Sequence, residues 1–412
     1  MLRFLMWLSR YVLAFTFIFS GFVKGVDPLG SAYKFGDYFM AFGLDFLMPF
    51  ALGLSFVLCA LELLIGLLLL FDIRTVLATW GAFLFMSVFT PLTLVLAIYN
   101  PVSDCGCFGD AIILSNWETF FKNVPLLIAA IILFRNRKYI RPKLPLLPEL
   151  VITLMLIAIS FIPPAHGYNN LPLIDFRSYK VGTHIPTAME IPEGAPLDEY
   201  KTLLYYQKDD VVKEFTQENF PWQDTTWTFV ESKSVLVKEG YHPPISDFVL
   251  TDLYGLDVTD SILSYPGYTM LVVAYRLNEA NKEALSRFNE LYFKAQEVGI
   301  NFACATSSPA DDIDRFISST GVAFPFVQGD EIMLKTTVRA NPGLMLLNHG
   351  TIVGKWHYKK TPEPKFFEKN IVPKLMASQQ HTAQNLWAAI IILILLVGKI
   401  IVRYIRLDSK NL

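Results

Sequence analysis

At 412 residues the chain has room for two or three domains of ordinary size, ~100–200 residues each. It is 53% apolar and only 17% charged, with a mean hydropathy of +0.40, which excludes a disordered chain, a disulfide-rich secreted miniprotein and an ordinary cytosolic enzyme. The net charge of −2 excludes a global basic surface for nucleic acid, and four cysteines leave room for one local pair rather than a disulfide framework. The composition describes a membrane protein with a water-soluble portion attached.

Six apolar runs approach the ~20 residues that cross a bilayer: 2–23, 46–71, 76–99, 117–134, 144–162 and 386–402. The first reads as a span rather than a cleaved signal peptide, because no small-x-small site precedes Lys24 and further spans follow. Lysines and arginines set the orientation. Arg74, Arg135, Arg137, Lys138, Arg141, Lys143, Arg403, Arg406 and Lys410 all fall on one side if the N- and C-termini are both cytoplasmic. Residues 24–45, 100–116 and 168–384 then face outward, into the periplasm of a bacterial inner-membrane protein.

Within the spans, Arg10 lies roughly 12 Å from the start of the first and Glu62 roughly 14 Å from the end of the second, at 1.5 Å per residue. Ionised groups in hydrocarbon need partners, so matching depths predict an Arg10–Glu62 pair, serving either to fix two helices or as a proton- or quinol-linked site. Thr90-Pro91 predicts a kink in the third span. Lys24, Asp27, Lys34 and Asp37 accompany the aromatic segment Tyr33–Phe42, which reads as an interfacial anchor.

The sequence Asp104-Cys105-Gly106-Cys107 before the fourth span is the most specific chemical signal. Two thiols flanking one glycine close a small, strained ring that suits transfer better than stability. Asp104 and Asp110 oppose thiolate formation and favour an oxidised pair. A static loop clip is the competing reading; a metal half-site lacks a nearby histidine, and no metal site is expected.

Residues 168–242 are polar and β-rich, with TLLYYQ and TWTFVES as strands and a Pro- and Gly-rich run up to Pro196 lying extended. From Ile245 the pattern predicts a hairpin turned by Tyr254-Gly255, a buried strand in TMLVVAYRL and a helix over Glu279–Val298. A strand in INFACATSS, a helix over Asp311–Ser319 and a hairpin with Asn-His-Gly at its tip follow. Trp222, Trp227 and Trp356 read as core or rim residues.

Two resemblances emerge. Residues 243–360 resemble the thioredoxin fold in its thioredoxin/peroxiredoxin-like branch, with Ala340-Asn341-Pro342-Gly343 where that family has a cis-proline. The position of its Cys-x-x-Cys reads Asn278-Glu279-Ala280-Asn281-Lys282, so the resemblance implies the fold without its redox chemistry. Cys304, inside an apolar strand, reads as structural. Residues 1–140 resemble the DoxX-like family and its MauE branch, through Ser20-Gly21-Phe22-Val23-Lys24, Asp27-Pro28, Glu62, Gly66 and the Cys105–Cys107 loop. MauE proteins are implicated in maturing a disulfide-containing dehydrogenase subunit of methylamine metabolism, and DoxX proteins include a subunit of a quinone-linked oxidoreductase.

The expected architecture is a mainly α transmembrane helical bundle with an α/β thioredoxin-like extramembrane domain. It comprises a four-helix unit over 1–140, a fifth span over 141–167, a β-rich segment over 168–242, the thioredoxin-like domain over 243–378, and a last span with a short tail over 385–412. The expected function is a thiol-redox or protein-maturation component in which Cys105 and Cys107 act and the outer domain docks a periplasmic client or membrane partner. The alternatives are a non-enzymatic assembly protein, or a subunit that engages a quinone or another small molecule. Apart from that quinone no cofactor is expected, and the partners are lipid and protein rather than nucleic acid.

Overall fold

The computed structural model describes residues 1–140, 144–209, 211–238 and 240–362. The expected sixth span, with Arg141, Lys143, Arg403, Arg406 and Lys410, lies outside them. Among the described residues, five helices are long and apolar enough to cross a membrane.

The bundle comprises α1 (Leu2–Val26), α2 (Pro28–Ala41), α3 (Ala51–Phe71, entered through a 3₁₀ turn over Asp45–Phe50), α4 (Thr75–Tyr99), α5 (Asn116–Arg135) and α6 (Leu146–Asn169). Local chemistry sets several boundaries. Asp27 separates α1 from α2, and its carboxylate accepts the Gly30 N–H at 3.0 Å; Pro28 occupies the first turn, where a missing N–H costs nothing. Ser115 and Glu118 form a capping box at the start of α5. Helix α4 runs through Pro91 as one element.

Helices α1 and α3 meet backbone to backbone. A β-carbon at Gly21 would overlap Cys59 and Leu63, and one at Gly66 would overlap Ala14 and Ile18. Leu13, Phe17, Leu67, Ala82, Met86, Leu126, Ala130 and Leu133 fill the interior. Phe15, Leu61, Leu84, Val88, Phe121, Ile128 and Leu154 are exposed on the outside, a surface suited to hydrocarbon rather than water.

This contact fixes a helix register that overturns the Arg10–Glu62 pairing. Arg10 Nη1 lies 2.8 Å from Asp72 Oδ1, just past the end of α3, so the first turns of α1 run beyond α3. Glu62 pairs instead with Lys24, near the opposite end of α1. Depths counted from the ends of two apolar runs mislead when the helices are offset along their axes.

Residues Thr183–Phe248 form a compact unit of their own. It holds α7 (Ile185–Met189) and a three-stranded antiparallel sheet of β1 (Glu199–Lys208), β2 (Val211–Thr216) and β3 (Thr228–Lys238), in the order β2-β1-β3. Tyr206, Phe215, Phe220, Trp227 and Phe229 cluster across the strands, while Trp222 is exposed. The unit begins and ends later than the 168–242 boundary read from sequence, since α6 continues to Asn169 and residues up to Gly182 belong with the rest of the chain.

The C-terminal domain contains β4 (Leu250–Thr251), α8 (Thr259–Leu263), β5 (Tyr268–Val273), α9 (Lys282–Glu297), β6 (Asn301–Thr306), α10 (Ala310–Thr320), β7 (Phe326–Gly329), α11 (Glu331–Thr337), β8 (Gly343–Asn348) and β9 (Thr351–His357). Its sheet runs β4-β7-β6-β5-β8-β9. Strands β5, β6 and β7 are parallel and β8 returns antiparallel on β5, with Met270 opposite both Phe302 and Leu346. A βαβ unit followed by a helix, a cis Asn341–Pro342 bond and an antiparallel hairpin is the thioredoxin-like arrangement. Helices cover the sheet, so β5 and β6 are buried on both faces and read as continuous apolar runs. The hairpin expected at Tyr254-Gly255 is reduced to a turn and one isolated bridge, Thr251 to Asp257, and β4 pairs with β7 instead.

Residues 170–182 strap this domain. Asp175 lies 2.8 Å from Arg177 Nε and 2.9 Å from Lys355 Nζ, and the Gly182 N–H donates to the Ile352 carbonyl at 2.8 Å. Burial works to raise the Asp175 carboxyl, but Lys355 and Arg177 outweigh it and hold it well below the usual range.

Candidate functional site

The loop after α4 carries Cys105 and Cys107, joined as a disulfide with Cα atoms 5.4 Å apart. Gly106 between them has φ +64°, a conformation that a side chain resists. Two helices hold the loop. Ser20 of α1 donates to the Cys107 carbonyl at 2.7 Å, and Tyr38 of α2 donates to the Cys105 carbonyl at 2.8 Å. Burial, with Asp104 and Asp37 adding to it, raises the Tyr38 phenol above its ordinary range, so it remains a donor. Asp104 accepts from Lys34 Nζ at 2.6 Å and from the Gly106 N–H at 2.9 Å.

The flanking carboxylates are not a bare negative field. Asp104 faces Lys34, and Asp110 Oδ2 lies 3.7 Å from Arg339 Nη2. Burial raises the Asp110 carboxyl, with Arg339 opposing. The anchor reading of Lys24 and Asp27 is corrected by the same geometry: they are engaged inside the protein, by Glu62 and Arg339, whereas Lys34 pairs with Asp104 while remaining partly exposed.

On its bundle side the disulfide lines an apolar cavity of about 290 Å³, walled by Phe35, Phe39, Phe85 and Phe89. Lys24 and Glu62 are the charged pair in that wall, Nζ to Oε1 at 2.5 Å, and Glu62 is 2% exposed. Its Oε2 is buried and has no hydrogen-bond partner among the described residues. Lys122 also lines the cavity, its Nζ 3.9 Å from the centre of the Phe108 ring.

On the other side lies a vestibule of about 1000 Å³ with charged side chains in its wall, lined among others by Tyr33, Gly106, Asp110, Arg276, Lys335 and Arg339. Gly106, Lys24, Ser31 and Lys34 line both spaces, so the Cys-Gly-Cys loop forms part of the partition between them, with Cys105 and Cys107 on its cavity side. Across the vestibule stands the thioredoxin-like domain. Arg339 Nε donates to Asp27 Oδ2 at 2.8 Å, and its guanidinium carbon lies 5.1 Å from the centre of the Tyr33 ring. Burial works to raise the Asp27 carboxyl, but Arg339, Arg177 and the Gly30 N–H outweigh it and hold it below its usual range.

Where a thioredoxin carries its thiols, this domain is closed by amides. Asn281 caps α9 by accepting the Ala284 N–H at 2.9 Å, and Asn341 Nδ2 donates to the Arg276 carbonyl at 2.9 Å. Cys304 is fully buried in β6, and burial pushes its thiol far above the ordinary range, so it is inert. The structure thus brings Cys105, Cys107 and Glu62 to one cavity, leaves Arg10 at the far end of α1, and places Pro342 in the domain across the vestibule. Sequence reasoning missed Lys24 as the partner of Glu62, together with Arg339 and Lys122. The available signal was helical spacing: Phe17, Ser20 and Lys24 recur on one face of α1.

Residues 2–135 match the family model described as Methylamine utilisation protein MauE, and residues 200–239 match a domain of unknown function, DUF8463. No curated protein matches the chain. Solved structures with some similarity include the peroxidoxin BcpB of Mycobacterium tuberculosis (13% identity, 33% of this chain, 96% of that one, TM-score 0.24). Others are a putative protein disulfide isomerase of Bacteroides thetaiotaomicron (17%, 34% and 91%, TM-score 0.25) and yeast Sco1 (16%, 32% and 92%, TM-score 0.23).

Proposed function

We propose that this membrane protein, MauE-like in its first 135 residues, oxidises polypeptide thiols through the Cys105–Cys107 disulfide on the face that carries its thioredoxin-like domain. The observation that carries the reading is the position of the disulfide, whose cysteines line an apolar cavity while Gly106 between them reaches the vestibule. A client thiolate that reaches the loop past Gly106 attacks one sulfur, giving a mixed disulfide and releasing the other as a thiolate. The client's second thiolate then displaces the remaining sulfur. The client leaves with a disulfide and the loop holds a dithiol, two electrons richer. In this reading the thioredoxin-like domain, whose one described thiol is the buried Cys304, shapes the vestibule and does no redox chemistry.

The orientation also belongs to this proposal. Arg74, Arg135, Arg137 and Lys138 gather at the end of the bundle opposite the disulfide, which supports a cytoplasmic position for that end and for the N-terminus. The disulfide and the thioredoxin-like domain then lie in the periplasm of an inner-membrane protein, where disulfides persist.

The test is trapping. Cys105→Ser and Cys107→Ser each leave one thiol unable to resolve, and at least one variant is expected to accumulate mixed disulfides with exported proteins that reductant releases. If neither variant traps a protein while partners still co-purify with the double Cys→Ser chain, the protein is a binding component and its disulfide a static clip.

A further inference from the structure

We infer that the apolar cavity behind the disulfide takes the ring of a lipid-soluble quinone, which reoxidises the Cys105–Cys107 dithiol. The inference rests on the thiol-oxidising reading above and supplies what that reading lacks, an acceptor for two electrons. Three features of the cavity select the acceptor's chemistry. Its walls are aromatic, with Phe85 and Phe89 stacked 4.2 Å apart, and its volume of about 290 Å³ falls just under the ~300–1,000 Å³ of drug-sized ligand pockets, a size for a single ring head group. It lies among the membrane-spanning helices α1, α3, α4 and α5, where an acceptor arrives from lipid. Its polar pair offers a donor and an open acceptor together, since Lys24 Nζ presents N–H groups while Glu62 Oε2 is buried and unsatisfied.

That polarity complements a quinone in both of its states. A carbonyl oxygen of the oxidised ring accepts from Lys24, and a hydroxyl of the reduced ring donates to the vacant Glu62 oxygen. The step balances. Two S–H bonds break, one S–S bond forms, and two electrons and two protons pass to the two carbonyl oxygens of the quinone, giving the quinol. Glu62 and Lys24 are positioned to move one of those protons at the buried oxygen.

The experiment uses the full-length chain in detergent, with Cys105–Cys107 reduced and excess reductant removed. Decylubiquinone is the probe, because its ring has no free position for thiol addition, and oxidised glutathione is the parallel oxidant. Quinol formation and loss of alkylatable thiols are followed together. The expected result is saturable reoxidation by the quinone, with one quinol formed per disulfide. In Glu62→Gln the ratio of the quinone rate to the glutathione rate is expected to fall at least tenfold, given the ~10²–10⁴-fold that a positioned proton-transfer group contributes. Phe89→Trp, which fills the cavity, is expected to raise the quinone concentration needed for half-saturation, so the assignment stays testable if the Glu62 variant does not assemble. Reoxidation by glutathione but not by quinone overturns the acceptor while leaving thiol oxidation standing. Saturable quinone turnover that neither variant alters overturns the cavity as its site. A loop that neither oxidant can reoxidise defeats the thiol-oxidising reading and this inference with it.

Discussion

Asp27 accepts a hydrogen bond from Arg339 at 2.8 Å, joining the cap of a bundle helix to the loop that leads into the cis Asn341–Pro342 bond. One carboxylate therefore does two jobs: it starts α2, which carries the Lys34 and Tyr38 that hold the disulfide loop, and it seats the thioredoxin-like domain over the vestibule. Arg339→Ala leaves the Asp27 carboxylate buried without its main cation and is expected to cost about 3–5 kcal/mol, the range for breaking a buried pair. Thermal unfolding should show the loss, and protease should cut more readily between residues 170 and 182. Equal protease resistance in variant and parent would mean that the contact does not hold the domain in place.

Lys24 and Glu62 set up a second test. Glu62→Leu strands a buried ammonium, so the variant should accumulate poorly. Adding Lys24→Met removes the stranded charge and should restore much of the accumulation, since an apolar pair of similar volume is often tolerated at a buried ion pair. The rescued double variant is expected to reach the membrane without reoxidising its cysteines through a quinone. Rescue of both properties would assign the pair a purely structural role.

The close approach of α1 and α3 predicts a steep size dependence at Gly66. Alanine there forces the backbones apart at a cost of about 1–3 kcal/mol, and leucine should prevent assembly. Yield and melting temperature in mild detergent measure both. Tolerance of leucine would contradict the packing on which the Lys24–Glu62 register depends.

His357 makes the soluble side sensitive to pH. Burial, with Lys359 and Lys360 nearby, holds its imidazole down to about 4, below the ordinary value of about 6.5. Between those values the unfolded chain binds the proton and the folded chain does not, so stability falls as pH drops from about 6.5 to about 4. His357→Gln should flatten that part of the melting-temperature profile. An unchanged slope would show that other groups carry it.

The legible parts of the sequence were those whose signal is local. Among the described residues the first four apolar runs matched their helices to within a few residues and the fifth stopped seven short of the end of α6, and the unbroken hydrophobicity of β5 and β6 marked strands buried on both faces. The hairpin at Tyr254-Gly255 failed because Asp252 takes the Tyr254 and Leu256 N–H groups into its own turn, and the sheet partner of β4 lies far along the chain in β7. Cys105 and Cys107 stood out by spacing alone. Lys24 did not, because its pairing depends on an offset between two helices that is set by Gly21 and Gly66 rather than by the ends of their apolar runs.

The central claim is that the Cys105–Cys107 disulfide cycles. The most direct measurement is its redox state in native membranes, read by alkylation and mass shift before mild reductant, after it, and after the reductant is removed. The account predicts a pair that is mostly oxidised at rest, opens readily, and closes again in the membrane without added oxidant. A pair that stays closed against the reductant, or that is permanently reduced, contradicts it.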